Sequence, residues 1–489
     1  MKKAVSKSVH KTFKHRVPLV LLLLMAGATP AWAQRTELAK SINQRDEATW
    51  KLAKRIWELA EPGYQETESS KLLAAELEQA GFKVTRGVAE IPTAFTAEFG
   101  SGTPVIGILG EFDALPGLSQ DAVPYRQPRD KQDYGHACGH HLFGTAAVSA
   151  SIAIAEQIKA GKLKGTVRFY GCPAEEGGSG KVFMARAGLF KDCDAALHWH
   201  PASENSAGDR TTLARIAVKF QFQGRSAHAA GAPEKGRSAL DAVEVTNFAA
   251  ELLREHTPDY TRIHHVITSG GKAPNVVPEF AEVYYYVRHP DGAVVKQVYD
   301  RLVKCAEAGA LATDTKLTIR HEGGTREILP NNALAQLSLK NLREFNDLTY
   351  TKDEVEFALK LRDSLEDLPS LDRIKVVEDR SGSTGKGSTD VGDVSWLVPT
   401  TGFSTSCWVP GTPSHSWQAV SAGGMSIGRK GGNLAARVLA ATAWDLMTQP
   451  NLLKEAKDEL NRRLGQRKYE PLVTAKQKPP LDYRKTSRE

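Results

Sequence analysis

Cysteine is scarce in this 489-residue chain: Cys138, Cys172, Cys193, Cys305 and Cys407 are scattered along its length. That excludes a disulfide-stapled scaffold, which crowds its cysteines into a short chain. Their number is odd, so at least one thiol has no partner within a monomer. A run long enough to span a bilayer, about 20 apolar residues, is also missing. No internal repeat is present, which excludes a solenoid. Excess charge of one sign is missing once it is located. Residues 1–16 hold six of the 64 basic residues and no acid, and the remaining 58 face 57 acidic ones. The footprint of a nucleic-acid or anionic-membrane binder is therefore absent. With 41% hydrophobic and 25% charged residues the chain has globular composition, and at roughly 150 residues per domain it makes two or three domains.

What is there begins with a leader. The basic stretch runs into an apolar segment, residues 17–28, and then Ala31-Trp32-Ala33. A positive start, a short apolar core and a small-residue site make a secretory signal peptide over residues 1–33. Cleavage after Ala33 would leave a mature protein starting at Gln34, periplasmic or secreted and without a membrane span. In an oxidising compartment an unpaired thiol needs protection, and metal ligation is one form of it.

Helical periodicity covers residues 38–60 and 66–81. Strands are expected at 93–99, 105–109, 166–170 and 195–199, with helices at 139–160 and 181–190 among them. This alternation indicates an α/β catalytic domain, a mainly parallel sheet with helices on both faces. The pattern changes near residue 209 to strand 213–224, helix 237–256, strand 280–288, helix 293–311 and strand 316–321. An inserted α+β domain over 209–325 accounts for it, which leaves 34–208 and 326–450 as the catalytic domain. Residues 451–489, charged and proline-containing, read as a surface tail.

Chemistry-bearing residues recur at the ends of the expected strands. His136-Ala137-Cys138-Gly139-His140-His141 gathers three imidazoles and a thiol. Thiolate with imidazole suits a borderline-soft cation such as zinc, and a thiol–imidazole catalytic pair is the alternative. Glu175 and Glu176 follow a strand and precede Gly177-Gly178. Neighbouring carboxylates there can divide labour, one holding a metal and the other taking a proton from water. His198 and His200 share one face of a strand, and spacing does not choose between them. His415 is a lone histidine in a polar turn. Asp113, in Glu111-Phe112-Asp113-Ala114-Leu115-Pro116, can orient a ligand imidazole.

The segments Glu111–Gly117, His136–His140, Pro173–Gly177, Ser226-Ala227-His228-Ala229 and Ser388–Asp393 resemble the metallopeptidase superfamily of aminoacylases, glutamate carboxypeptidases and N-acyl-amino-acid amidohydrolases. Within it the chain resembles the aminobenzoyl-glutamate hydrolase branch. The likeness runs in order from about residue 40 to 450. It implies hydrolysis of an N-acyl amino acid or dipeptide amide by water activated at two divalent cations, zinc, with manganese or cobalt as alternatives. It implies metal ligands at Cys138, which bridges, and at His140, Glu176, His200 and His415. Glu175 takes the place of the general base and Asp113 that of the orienting carboxylate. Glu111 stands where many relatives carry a ligand histidine. The inserted domain resembles a dimerisation lid, which implies a homodimer in which His228 reaches the partner's site and stabilises an oxyanion. Asn275 and Arg288 match lid positions that hold a substrate's polar end. A dipeptidase or carboxypeptidase of the same fold, or a peptide-binding metalloprotein without turnover, are the alternatives.

Overall fold

The computed structural model describes residues 31–484, together with Met1 and Ala4. The leader expected over residues 1–33 lies almost wholly outside them; residues 31–33 open the first helix, Ala31–Leu59. No helix among the described residues is long and apolar enough to cross a membrane.

Twelve strands follow in chain order: β1 (Lys83–Arg86), β2 (Phe95–Ser101), β3 (Val105–Glu111), β4 (Gly165–Cys172), β5 (Ala195–Ala202), β6 (Asn205–Ala207), β7 (Ala214–Gln223), β8 (Arg262–Ser269), β9 (Phe280–His289), β10 (Lys316–Thr325), β11 (Val377–Asp379) and β12 (Thr400–Ser406). Eight of them form one sheet in the order β1-β2-β4-β3-β5-β12-β6-β11. Its centre, β4-β3-β5-β12, is parallel throughout. β3 is buried at every position, as a parallel strand covered on both faces must be.

The period of two sorts side chains between those faces. Ile106, Ile108, Val167, Phe169, Leu197 and Trp199 join the core beneath helices Ala31–Leu59, His140–Lys159 and Ser426–Thr448. Leu109, Tyr170 and Ala196 point the other way, into a second core with Phe183, Met184, Val391 and Val394. Helix His140–Lys159 is built of small residues because it lies almost against β3. A Cβ at Gly144 would come within 2.7 Å of the Glu111 carbonyl.

The inserted unit is a four-stranded antiparallel sheet, β10-β7-β9-β8. Helices Ala239–Arg254 and Gly292–Thr313 cover one face and close their own core around Ile216, Val218, Phe220, Val283, Tyr285 and Leu302. Three strands are expected there and four are found. β8 is an edge strand with most side chains exposed, so its sequence carries no burial pattern to read.

The chain's end also differs from expectation. Instead of a free surface tail, Pro450–Leu464 is a helix with Leu453, Ala456 and Leu460 buried. The residues beyond it run back across the molecule, with Tyr483 edge-on to buried Tyr64 at 5.7 Å between ring centres. Most of the charges that suggest a tail lie on the helix's outer face, while Glu459 is buried and accepts the Asn332 and Ala333 amides at 2.9 and 3.0 Å.

Candidate metal centre

The carboxyl ends of β3, β4, β5 and β12 meet at one rim, where open parallel sheets place their sites. β3 ends in Glu111 and leads to Asp113. The loop after β4 carries Glu175 and Glu176. His198 and His200 lie on β5, and His415 lies in the loop after β12. Cys138 and His140 enter at the amino end of helix His140–Lys159.

Two groups of ligand atoms that share a thiol converge there, and a third, Glu111, His140 and Glu175, lies beside them and shares His140. Cys138, His140 and His200 form one; Cys138, Glu176 and His415 form the other; within each, the ligand atoms lie within 4.8 Å of one another. Cys138 belongs to both, and its Sγ is 3.2 Å from His200 Nε2. The nitrogens that face the centre are fixed from behind. His140 Nδ1 donates to Asp113 Oδ1 at 2.8 Å, and His200 Nδ1 lies 2.7 Å from the Pro201 carbonyl. Asp113 Oδ2 also accepts the Glu176 amide at 2.9 Å, so one carboxylate braces a ligand of each group.

The donor set fits a borderline divalent cation. Two buried ligand atoms, His140 Nε2 and Glu176 Oε1, have no hydrogen-bond partner. Glu111 Oε2 lies 3.1 Å from His140 Nε2 and His415 Nε2 lies 3.1 Å from Glu176 Oε1, but neither contact satisfies the buried atom as a hydrogen bond. Atoms left open in this way cost about 1–3 kcal/mol each unless something binds them.

Burial and the carboxylates of Glu111, Glu176 and Asp390 push Glu175 well above the usual carboxylate range. Burial also pushes Glu176 upward, but the His415 imidazole 3.1 Å away and the charge of His140 outweigh it and hold Glu176 below that range. The two neighbours are thus driven apart, the pattern that separates an acid–base group from a ligand. Burial and Glu176 push the Cys138 thiol well up, the reverse of an activated catalytic thiol. His136 and His141 bond the carbonyls of Ile56 and Gly423 at 3.1 Å each and serve the core.

A cavity of about 680 Å³ opens over the centre. Comparison with known proteins bears on its chemistry. The peptidase dimerisation domain matches residues 213–314. A p-aminobenzoyl-glutamate hydrolase subunit of Escherichia coli (strain K12) is 42% identical over 437 residues, 83% of this chain and 91% of that protein. The chain belongs to the M20 peptidase family. It is a hydrolase of amide bonds. The Xaa-Arg dipeptidase of Homo sapiens is 27% identical over 456 residues, 88% of this chain and 93% of that one. A dinuclear metal-binding M20 peptidase of Bacillus subtilis shares the fold, with a TM-score of 0.56 at 16% identity over 83% of this chain and 99% of that one.

In this M20 peptidase the remaining expected residues fall into two places. His198 and Arg288 line the cavity. His198 stands outside both ligand groups and faces Gly402, where a Cβ would come within 2.1 Å of its ring. His228 and Asn275 are exposed on the inserted domain, their segments joined by the Ala229 amide donating to the Asn275 carbonyl at 3.0 Å. Neither lines the cavity of its own chain.

Sequence reading misses several neighbours of the centre. Lys181 is fully buried, 2.6 Å from both Glu111 Oε1 and Asp390 Oδ1. Its signal, a lysine opening an amphipathic helix, reads as solvent-facing. Arg215 is the register partner of Arg288, and both guanidinium groups lie over the Tyr286 ring, at 4.9 and 5.3 Å. Arg210 lines the same cavity. Among the described residues none of these three arginines forms an ion pair with a carboxylate.

Proposed function

We propose that the chain is an exported, metal-dependent amidohydrolase that cleaves N-acyl amino acids, with aminobenzoyl-glutamate-like amides and dipeptides as the candidate substrates. The observation that carries this reading is two ligand groups sharing one thiol, beside a carboxylate, Glu175, that belongs to neither and groups only with Glu111 and His140. Cys138, His140 and His200 would hold one cation and Cys138, Glu176 and His415 the other. Zinc suits the thiolate and imidazoles, with manganese or cobalt as alternatives. Bound cations would supply Lewis acidity towards the amide carbonyl and towards water.

Glu175 takes the proton of the attacking water and returns it to the leaving amine. Asp113 keeps His140 in the tautomer that presents Nε2. Arg288 holds the substrate's polar end, and Asn275, which lies outside its own chain's cavity, does so from the other subunit of the dimer. The unpaired arginines favour a substrate carrying more than one carboxylate: burial and the nearby Arg215 pull the Arg288 guanidinium below its usual value, and a bound anion would relieve that crowding. They disfavour a cationic product, which counts against a dipeptidase acting on arginine-containing substrates. The lid over 209–325 makes a homodimer in which His228 serves the partner's site and stabilises the oxyanion.

The test is amine release from the metal-loaded mature protein with N-acyl-glutamate, N-acyl-leucine and N-acyl-lysine. The reading expects glutamate first and loss of all turnover after chelation. Turnover that survives chelation would end it. Light scattering on the same sample reads the dimer, and signal-peptide cleavage in a fractionated host reads export.

A further inference from the structure

The loop that carries Glu175 and Glu176 is not a relaxed turn. Ala174, Gly177 and Ser179 all have positive φ, at 57°, 113° and 59°, and for the two non-glycine residues that conformation costs about 1 kcal/mol or more each. Such a loop keeps its shape when its surroundings hold it. On one side Tyr64 donates to the Gly178 carbonyl at 2.7 Å and Glu66 accepts the Ala174 amide at 2.8 Å.

On the other side stands the end of the chain. After the helix Pro450–Leu464 the backbone has no regular structure to residue 484, yet it is fastened at intervals. Tyr469 donates to Asp393 at 2.9 Å, Gln477 donates to the His321 carbonyl of β10 at 3.1 Å, and Gln65 donates to the Leu481 carbonyl at 2.8 Å. Its last described residues reach the loop of Glu175 and Glu176. Tyr483 Oη and Arg484 Nη2 both donate to the Glu176 carbonyl, at 3.2 and 2.8 Å. Tyr483 also packs within 3.3 Å of where a Cβ on Gly177 would stand. Arg484 forms no ion pair among the described residues, its Nε is buried without a partner, and its side chain lines the cavity.

We propose that this C-terminal strap, residues 466–484, belongs to the catalytic centre, with Tyr483 and Arg484 as positioning residues for the Glu175–Glu176 loop. Their two hydrogen bonds meet on the one carbonyl between the expected base and the glycines that let the loop turn. They fix the Glu176–Gly177 peptide, which adjoins the Cα from which the Glu176 side chain reaches the cation site and lies one residue beyond Glu175. The strap does for the carboxylate ligand what Asp113 does for His140. The proposal rests on the metal-centre reading above for what the loop positions.

The test uses the full mature chain carrying Y483F, R484Q or both, and a chain ended after Pro480. Each is scored for cation retention, by zinc competition against a chromophoric chelator, and for kcat and KM. The absorption spectrum of the cobalt-loaded protein reports the geometry at Cys138. The double variant should bind the weaker of two cations about 10- to 100-fold less tightly, as loss of a partner behind a metal ligand does. Its kcat should fall by a similar factor with KM changed less than about twofold. The cobalt bands should shift, melting should move by no more than about 4 °C, and R484K should recover part of the loss. Wild-type cation retention and wild-type kcat in the double variant would overturn the proposal. So would a loss that tracks melting alone. If the unmutated protein hydrolyses none of the amides, the proposed activity fails, while cation retention and the cobalt spectrum still decide the role of the strap.

Discussion

Replacing Lys181 with methionine is the sharpest test of how the carboxylate cluster under the centre is balanced. The lysine side chain is 0% exposed, and its partners Glu111 and Asp390 are 2% and 0% exposed. Its backbone amide also donates to Asp390, at 2.8 Å. Methionine keeps the volume and removes the charge, leaving two buried carboxylates facing each other. Breaking a buried pair by deleting one partner costs about 3–5 kcal/mol, a large share of the roughly 5–15 kcal/mol by which domains are stable. The pH dependence has a definite sign. Burial already pushes Glu111 above the carboxylate range, and Lys181 is the strongest influence holding it down. Without the lysine the folded-state value rises further above the unfolded one. The fold then favours the protonated acid, so stability is kept at low pH and lost as pH rises through that raised value. Urea unfolding of the metal-free variant should therefore show a small deficit near pH 5 and the full deficit near pH 8, and K181M/D390N should recover part of it. A K181M protein within about 1 kcal/mol of wild type at pH 8, or a deficit equal at both pH values, would refute the reasoning.

Three further outcomes are expected. E175Q should retain both cations, measured by elemental analysis, while turnover of an N-acyl amino acid becomes undetectable; residual activity near wild type would remove Glu175 from its role. H200A should lose one cation per chain and H198A neither, because His200 belongs to a ligand group and His198 does not; equal losses would reverse that choice. Glu66, pushed up to about 8 by burial and then by Asp113, binds a proton in the fold that the unfolded chain releases near roughly pH 4.3. Stability should therefore fall as pH rises between those values, and E66Q should flatten the slope in thermal melts taken from pH 5 to pH 8; identical slopes would show that Glu66 is already ionised.

The parallel core is legible in the sequence because β3, β4 and β5 are short apolar runs, each ending in residues whose side chains have no place in a core. The ligand clusters sit at those ends, so strand prediction and chemistry point to one rim. What is illegible depends on partners that folding brings from far away. Lys181 is buried because Glu111 and Asp390 close on it from two other elements. Arg215 and Arg288 become one anion-attracting pair through the register of β7 and β9, which neither strand specifies alone. Residues 451–484 have the composition of a tail, and their anchors, from Gln65 to His321, lie on segments that local periodicity cannot associate with them. The edge strand β8 escapes notice for the opposite reason: it has too little burial to leave a pattern.

The two ligand groups share a sulfur, but water does not reach them equally. The His140 side chain is 0% exposed, while that of His415 is 51% exposed on a loop residue at a left-handed φ of 57°. With cations bound as proposed, a centre built this way would have a fast half and a slow half. A chelator arriving through the cavity meets the His415 side first, and depletion should run in two phases separated by a half-empty state. Refilling under scarcity would favour the sealed position, so the same chain would carry one cation long before it carries two.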